Sequence, residues 1–334
     1  MRLTTAGGLR LVIFVMLCCG LLSDRQLSAE EPLRMNQLQV VGTHNSYHTR
    51  EKPIASGRAA AWNYTHPPLD VQLERGVRSF ELDLHWRNGE FQVFHVPLID
   101  EGTTCKTLAE ALATVRRWSE SHPNHVPISF LFELKSEGPG IDKRIKKVDA
   151  AGLDQLDEVL SAGFAEGQII TPDVVRGDAD NLREAVTKRG WPTVDEARGK
   201  VFFILHNDGD QRELYSKDRP SQRGRVMFVR SDPEREDAAT LVMDGPNNPR
   251  IPELVKAGYY IRTRADADIR IAGSGQPARR DAAFASGAHI LSTDFPRGQA
   301  DKESGYVVEF ENGAAARVNR VNGPEPERGK PFTE

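Results

Sequence analysis

The run Leu38 to Thr43 leads straight into Gly42-Thr43-His44-Asn45-Ser46, so an imidazole and a carboxamide follow an apolar stretch directly. A second run, Arg78 to Leu84, carries Glu81-Leu82-Asp83. In an extended strand side chains alternate, so both carboxylates share one face and Leu82 takes the other. His95 follows the short apolar stretch Phe91 to Phe94, and Glu133-Leu134-Lys135 closes the run Pro127 to Leu134 with an acid and a base on one face. Burying like charges side by side is costly without a cation. Asn45, Glu81, Asp83 and Glu133 offer only oxygen, which suits a hard divalent ion, Ca²⁺ or Mg²⁺, better than Zn²⁺. Two imidazoles supply what a phosphodiester transfer needs, one accepting the proton of an attacking hydroxyl and one protonating the leaving oxygen. Neutral and protonated imidazole are both accessible near neutral pH. Three carboxylates around one divalent ion leave a net negative charge, so an anionic substrate requires further cations. Lys135, a protonated imidazole and Arg262 are the candidates.

These residues must be held by something regular. Short runs rich in Val, Ile and Phe recur at Leu38 to Thr43, Arg78 to Leu84, Pro127 to Leu134, Gln168 to Thr171, Val201 to Leu205, Val226 to Val229, Tyr259 to Arg262 and His289 to Ser292. Between them lie amphipathic stretches: Thr107 to Glu120, Leu153 to Ser161, Asn181 to Lys188, Pro249 to Lys256 and Arg279 to Ser286. Thr107 with Glu110 has the spacing of a capping box. Near-continuous apolar strands alternating with helices predict a parallel sheet covered by helices, and eight of them predict an α/β protein built as a (β/α)8 TIM barrel. A doubly wound open sheet is the competing arrangement. In a barrel the C-terminal ends of the strands carry the chemistry, and that is where His44, Asp83, Glu133 and Arg262 fall. Asn88-Gly89 predicts a hairpin turn leading to Phe91, and Asn312-Gly313 predicts a second hairpin, Tyr306 to Val318, outside the barrel. Residues after Asn322 read as a frayed tail.

The constellation resembles the Ca²⁺-dependent, phosphatidylinositol-specific phospholipases C of bacterial type, within the wider superfamily of phospholipase-C-like phosphodiesterases. The resemblance rests on His44-Asn45, Glu81-x-Asp83, His95 and Glu133-x-Lys135. It extends more loosely to Arg262-Thr263-Arg264-Ala265-Asp266 and Leu291-Ser292-Thr293-Asp294, and it spans roughly residues 36 to 297. It implies an enzyme, a phosphoric diester hydrolase or lyase. His44 and His95 would be its catalytic pair, and Asn45, Glu81, Asp83 and Glu133 its Ca²⁺ ligands, with Mg²⁺ as a substitute. Lys135, Arg262 and Asp294 are expected at the substrate. In such lipases the inositol 2-hydroxyl attacks phosphorus, expelling diacylglycerol and leaving an inositol cyclic phosphate. An asparagine after the first histidine favours this reading over the glycerophosphodiester phosphodiesterases, which usually place arginine there. The alternatives are such a diesterase, acting on another phosphodiester, and a catalytically idle barrel that binds sugar phosphates or lipid.

Arg2 and Arg10 precede the apolar run Leu11 to Leu22, and Ala29 precedes Glu30-Glu31-Pro32, the pattern of a secretory leader over residues 1–29. The expected organisation is therefore leader, barrel over residues 30–300, and a C-terminal extension over 301–334. A secreted or periplasmic destination follows. Cys105 is the one cysteine beyond the leader, so no intramolecular disulfide is expected. With 44 Lys plus Arg against 48 Asp plus Glu, nothing drives nucleic-acid binding. The partners expected are a phosphoinositide or related phosphodiester and a transient contact with a membrane surface, by a monomer. His48 reads as structural, His206 as a substrate contact or a satisfied rim group, and Trp62-Asn63-Tyr64 as a lipid-contacting or lid-packing pair.

Overall fold

The computed structural model describes residues 31–50, 52, 62–135, 142–266 and 276–334; the expected leader lies outside them. Residues Pro32–Glu334 form one compact unit. In chain order its strands are β1 (Leu38–Thr43), β2 (Val77–Arg87), β3 (Glu90–Val93), β4 (Ile128–Leu134), β5 (Ile145–Lys146), β6 (Val201–Leu205), β7 (Met227–Val229), β8 (Thr240–Val242), β9 (Tyr260–Arg264), β10 (Ile290–Thr293), β11 (Ala316–Val318) and β12 (Pro331–Phe332). Eight of these run parallel in the order β7-β6-β4-β2-β1-β10-β9-β8. The ring closes between β7 and β8 through the bridge Arg230↔Thr240, with Thr240 Oγ1 donating to the Val229 carbonyl at 2.7 Å. The parallel barrel expected from the apolar runs is therefore present.

The strands are buried on both faces, as their composition requires. Every residue of Val201–Leu205 is buried, and Phe130 and Phe132 each lie 5.7 Å from Phe203, ring centre to ring centre. The helix α1 spans Leu69–Glu74 and α2 spans Leu108–Ser121. Thr107 caps α2, its Oγ1 accepting from Glu110 N at 3.2 Å, and the helix buries Leu108, Ala111, Leu112 and Val115 along one stripe.

One of the expected barrel strands is corrected. Gln168 to Thr171 is not a barrel strand. It makes a single bridge, Ile169↔Val201, because the chain turns at once into the helix Pro172–Arg176 capped by Thr171. The eighth place belongs to β8, three residues long and flanked by Asp237 and Asp244, too short a run to be seen as a strand. The expected helix Asn181 to Lys188 is present, capped by Asn181 and running from Leu182–Glu184 straight into a wider π turn at Ala185–Arg189.

Asn88 and Gly89 both take left-handed φ, 59° and 86°, and join β2 to β3 in the expected hairpin, Arg87 opposite Glu90. The Asn312-Gly313 turn does not join paired strands. Its second arm, β11, instead pairs antiparallel with the start of β1, Leu38↔Val318. The tail is not frayed either: β12 pairs with β11, and the Glu334 side chain accepts from Arg78 Nε at 2.7 Å and Val126 N at 2.9 Å. A buried arginine and an unpaired backbone donor at the barrel floor are satisfied in this way.

Candidate active site

Register decides which side chains meet at the barrel mouth. In the β2–β4 ladder Asp83 stands directly opposite Glu133, with Glu81 two residues earlier on the same face. Like charges placed opposite each other repel, and Lys135 answers them: its Nζ lies 2.7 Å from Glu133 Oε1 and 3.3 Å from Asp83 Oδ2. Burial pushes the Lys135 ammonium down, but these two carboxylates outweigh it and raise its pKa. Across the barrel, Arg262 on β9 reaches Glu81 Oε2 at 2.5 Å, Ser292 Oγ at 3.1 Å and the Asp244 carboxylate. Burial opposes ionisation of Glu81, yet Arg262, with His44 and His206 adding to it, holds its carboxyl well below the usual range.

Asp83 is different. It is fully buried, and besides the Lys135 ammonium at 3.3 Å and the Tyr47 hydroxyl nothing answers its oxygens. Burial, opposed by Lys135 and reinforced by Glu133 and Glu81, pushes its pKa up to about 8. An acid left in this state beside two others is what a hard divalent cation would stabilise. Asn45 turns the chain at the end of β1 with φ 45°, a left-handed value that asparagine tolerates. Asn45, Glu81, Asp83 and Glu133 offer the oxygen donors that Ca²⁺ takes.

The loop after β1 is fastened to β2 by its serine: Ser46 N donates to the Glu81 carbonyl, and Glu81 N donates to Ser46 Oγ, each at 2.9 Å. Gln72 of α1 donates to the Ser46 carbonyl at 2.7 Å. His44 is thereby set with Nδ1 donating to Asp294 Oδ1 at 2.9 Å and Nε2 3.9 Å from Glu81 Oε1.

His95 lies on the loop after β3, and its Nδ1 donates to Asp100 Oδ2 at 2.8 Å. The same oxygen lies 2.9 Å from His48 Nε2, and Arg50 pairs with Oδ1 at 2.7 Å. The two histidine-bearing loops are stitched together by Thr104 N to the Tyr47 carbonyl, by Thr49 N to the Gly102 carbonyl and by the bridge His48↔Thr103. Gly102 permits this approach, since a Cβ there would stand 2.0 Å from Thr49 O. Trp62 packs edge-on against His95, ring centres 4.9 Å apart. Burial lowers the His95 pKa, against the upward pull of Asp100, and the charge of Lys135 lowers it further.

His44, Glu81, Asp83, Glu133, Lys135, Arg262 and Asp294 are thus brought together; His95 stands on the loop after β3, near enough to Lys135 to feel its charge. Asp294 is placed behind the His44 imidazole and is also paired with Arg264 at 3.3 Å. Lys135 and Arg262 are engaged by the carboxylates of the expected ion site. Sequence reasoning missed Asp100 and His48, which stand as a pair behind His95. It also missed that His206 at the end of β6 shares the Glu81 and Glu133 cluster. The only sequence signal for Asp100 was an acid five residues after His95 in an otherwise apolar turn.

The family model for Ca²⁺-dependent phosphoinositide phospholipase C matches residues 33–88 and 85–320. Among solved structures, the chain is similar to a calcium-dependent phosphoinositol-specific phospholipase C from Pseudomonas sp., at 18% identity and a TM-score of 0.58, covering 86% of this chain and 95% of that one. It is similar also to a Ca²⁺-dependent phosphatidylinositol-specific phospholipase C from Streptomyces antibioticus, at 19% identity and a TM-score of 0.58, covering 78% and 95%. A search of curated proteins returns no significant match. At these identities the two structures speak for the barrel; the family model, which takes in most of the chain and the residues of the mouth, speaks for more. The chain belongs to the Ca²⁺-dependent phosphoinositide phospholipase C family of phosphodiesterases.

Proposed function

We propose that this enzyme cleaves the glycerol-side phosphodiester bond of phosphatidylinositol by attack of the inositol 2-hydroxyl, giving diacylglycerol and inositol cyclic phosphate. The observation that carries the reading is that His44 and His95 each commit Nδ1 to a separate carboxylate, Asp294 and Asp100. Nε2 of each ring is left for proton transfer. His44 Nε2 takes the proton of the 2-hydroxyl as its oxygen bonds to phosphorus. As the bond from phosphorus to the glycerol oxygen breaks, His95 returns a proton to that oxygen. Asn45, Glu81, Asp83 and Glu133 are the side chains that would hold Ca²⁺. The ion lowers the pKa of the attacking hydroxyl and stabilises phosphoryl charge when bound. Lys135 and Arg262 add positive charge for the diester.

All of these groups come from one chain, and a cleft of about 580 Å³ lined by Arg50, Tyr64, Thr65, Asp294 and Phe295 includes the Asp294 that pairs with His44. We read the enzyme as an exported monomer that meets membranes transiently, its residues 1–29 serving as a leader. No helix of the described residues is long and apolar enough to cross a bilayer.

Phosphorus NMR of the products tests the reading. Phosphatidylinositol is expected to give a cyclic inositol phosphate, and chelator to suppress it. Turnover of glycerophosphodiesters with no cyclic product from the inositol lipid would instead favour the diesterase alternative.

Asp100 supports the acid role, because removing its charge removes an upward influence on His95. In Asp100→Asn the limb of kcat/KM that falls with rising pH is expected to move to lower pH, so that kcat/KM at neutral pH falls. KM should change little. A limb that stays in place would show that Asp100 does not act through His95.

A further inference from the structure

The oxygen-only ligand set leaves out one group that the fold brings to the same place. His206 follows β6, whose last residues pair with β4 in register, Phe132↔Leu205. Its backbone N–H donates to the Phe132 carbonyl at 2.8 Å, which fixes the residue next to Glu133. A ring nitrogen of His206 and one carboxylate oxygen each of Glu81 and Glu133 lie within 4.8 Å of one another. The His206 Nδ1 is buried without a hydrogen-bond partner. A buried ring nitrogen costs free energy unless something fills its lone pair or takes its proton, and the neighbouring side chains do neither. The remaining three-residue cluster of possible donors among the described residues, His48, His95 and Asp100, is already closed on itself by hydrogen bonds.

Two carboxylates and one imidazole are a borderline donor set. Ca²⁺ takes oxygen and gains little from a nitrogen, whereas Zn²⁺ and its first-row neighbours bind imidazole strongly. We propose that His206 is a nitrogen ligand which lets Glu81 and Glu133 hold a first-row divalent ion, Zn²⁺ foremost, in exclusion of Ca²⁺. The proposal rests on the reading of Glu81 and Glu133 as metal ligands and extends it. Because the two ions would share both carboxylates, one molecule could not hold both there, and Zn²⁺ would compete with Ca²⁺ rather than add to it.

The test is calorimetric titration of chelator-stripped enzyme with Zn²⁺ alone, with Ca²⁺ alone, and with Zn²⁺ in saturating Ca²⁺. Co²⁺ serves as a coloured stand-in whose visible absorption reports nitrogen and oxygen ligation. In the wild-type enzyme one Zn²⁺ is expected to bind, and Ca²⁺ to weaken it. His206→Ala should lose at least about tenfold in Zn²⁺ affinity and lose the Co²⁺ band, while Ca²⁺ affinity shifts less than about threefold. Unchanged Zn²⁺ affinity in His206→Ala overturns the proposal, and would direct attention to His48, His95 and Asp100. An equal fall for both ions overturns it too, since His206 would then be holding the fold. His206→Gln, which keeps much of the side-chain volume without the imidazole, must lose Zn²⁺ as the alanine variant does. If Ca²⁺ fails to bind the wild-type enzyme but Zn²⁺ binds through His206, the Ca²⁺ ligand reading fails and the assignment of His206 stands.

Discussion

His44→Ala and His95→Ala are each expected to lower turnover of phosphatidylinositol by about 10²- to 10⁴-fold, the usual range for losing a positioned acid or base. Circular dichroism and thermal unfolding should remain close to wild type. The packing supports that separation. His44 and His95 are partly exposed, 27% and 16% by side chain, and neither fills the core. Removing either leaves no orphaned charge, because Asp294 keeps Arg264 and Asp100 keeps His48 and Arg50. The two variants should differ in one respect. A substrate analogue whose leaving oxygen is replaced by sulfur departs as a thiolate and needs no acid. His95→Ala should therefore recover much of its rate on it, and His44→Ala should not. Recovery in the opposite variant would exchange the two roles, and wild-type turnover in either would reject its part in the reaction.

The second large effect concerns Asp83, whose replacement should change stability in two directions at once. Its pKa in the folded protein lies near 8, above the ordinary 3.8. A group raised in this way contributes its stability fully below the unfolded value, and that contribution is lost as pH rises through the folded value. In ion-free enzyme, stability carried by Asp83 should therefore drain away between about pH 4 and 8. Asp83→Asn removes the buried acid while leaving Lys135 paired with Glu133. The ion-free variant is expected to unfold at or above the wild-type temperature at pH 7.5. Ca²⁺ at a hundredfold excess over its Kd stabilises the wild type by about 2.7 kcal/mol, a rise of several degrees. In Asp83→Asn that rise should largely vanish, and activity should fall at least about a hundredfold, the scale of a lost metal contribution. Differential scanning calorimetry with chelator and with Ca²⁺ reads both changes. If the variant is less stable without the ion and still responds fully to it, Asp83 is a structural residue and the ligand set is wrong.

Much of this enzyme was legible before any coordinates, and the reason is local. A strand's alternation puts Glu81 and Asp83 on one face whatever surrounds them, and Thr107 caps its helix through a neighbour three residues away. Long apolar runs such as Ile128–Leu134 declare themselves because both faces are buried. Where the signal was short it misled: Thr240–Val242 closes the barrel with three residues, while Gln168 to Thr171 has a strand's composition and makes only one bridge. The C-terminal residues, polar and rich in proline, read as unsupported, yet Glu334 answers Arg78 and Val126 from more than two hundred positions away.

The sequence by itself determined part of the inventory of the site: two imidazoles, oxygen donors and cations, on the strands or just beyond them, in an order that marks the family. Only the tertiary structure decided how they are paired. Asp294 stands behind His44 and Asp100 behind His95, Arg262 lies on Glu81, and His206 turns toward the carboxylates. Hydrogen bonds and ion pairs of this kind depend on distances of a few ångströms between residues far apart in the chain. Those distances are set by strand register and barrel closure, which residue type and spacing do not encode.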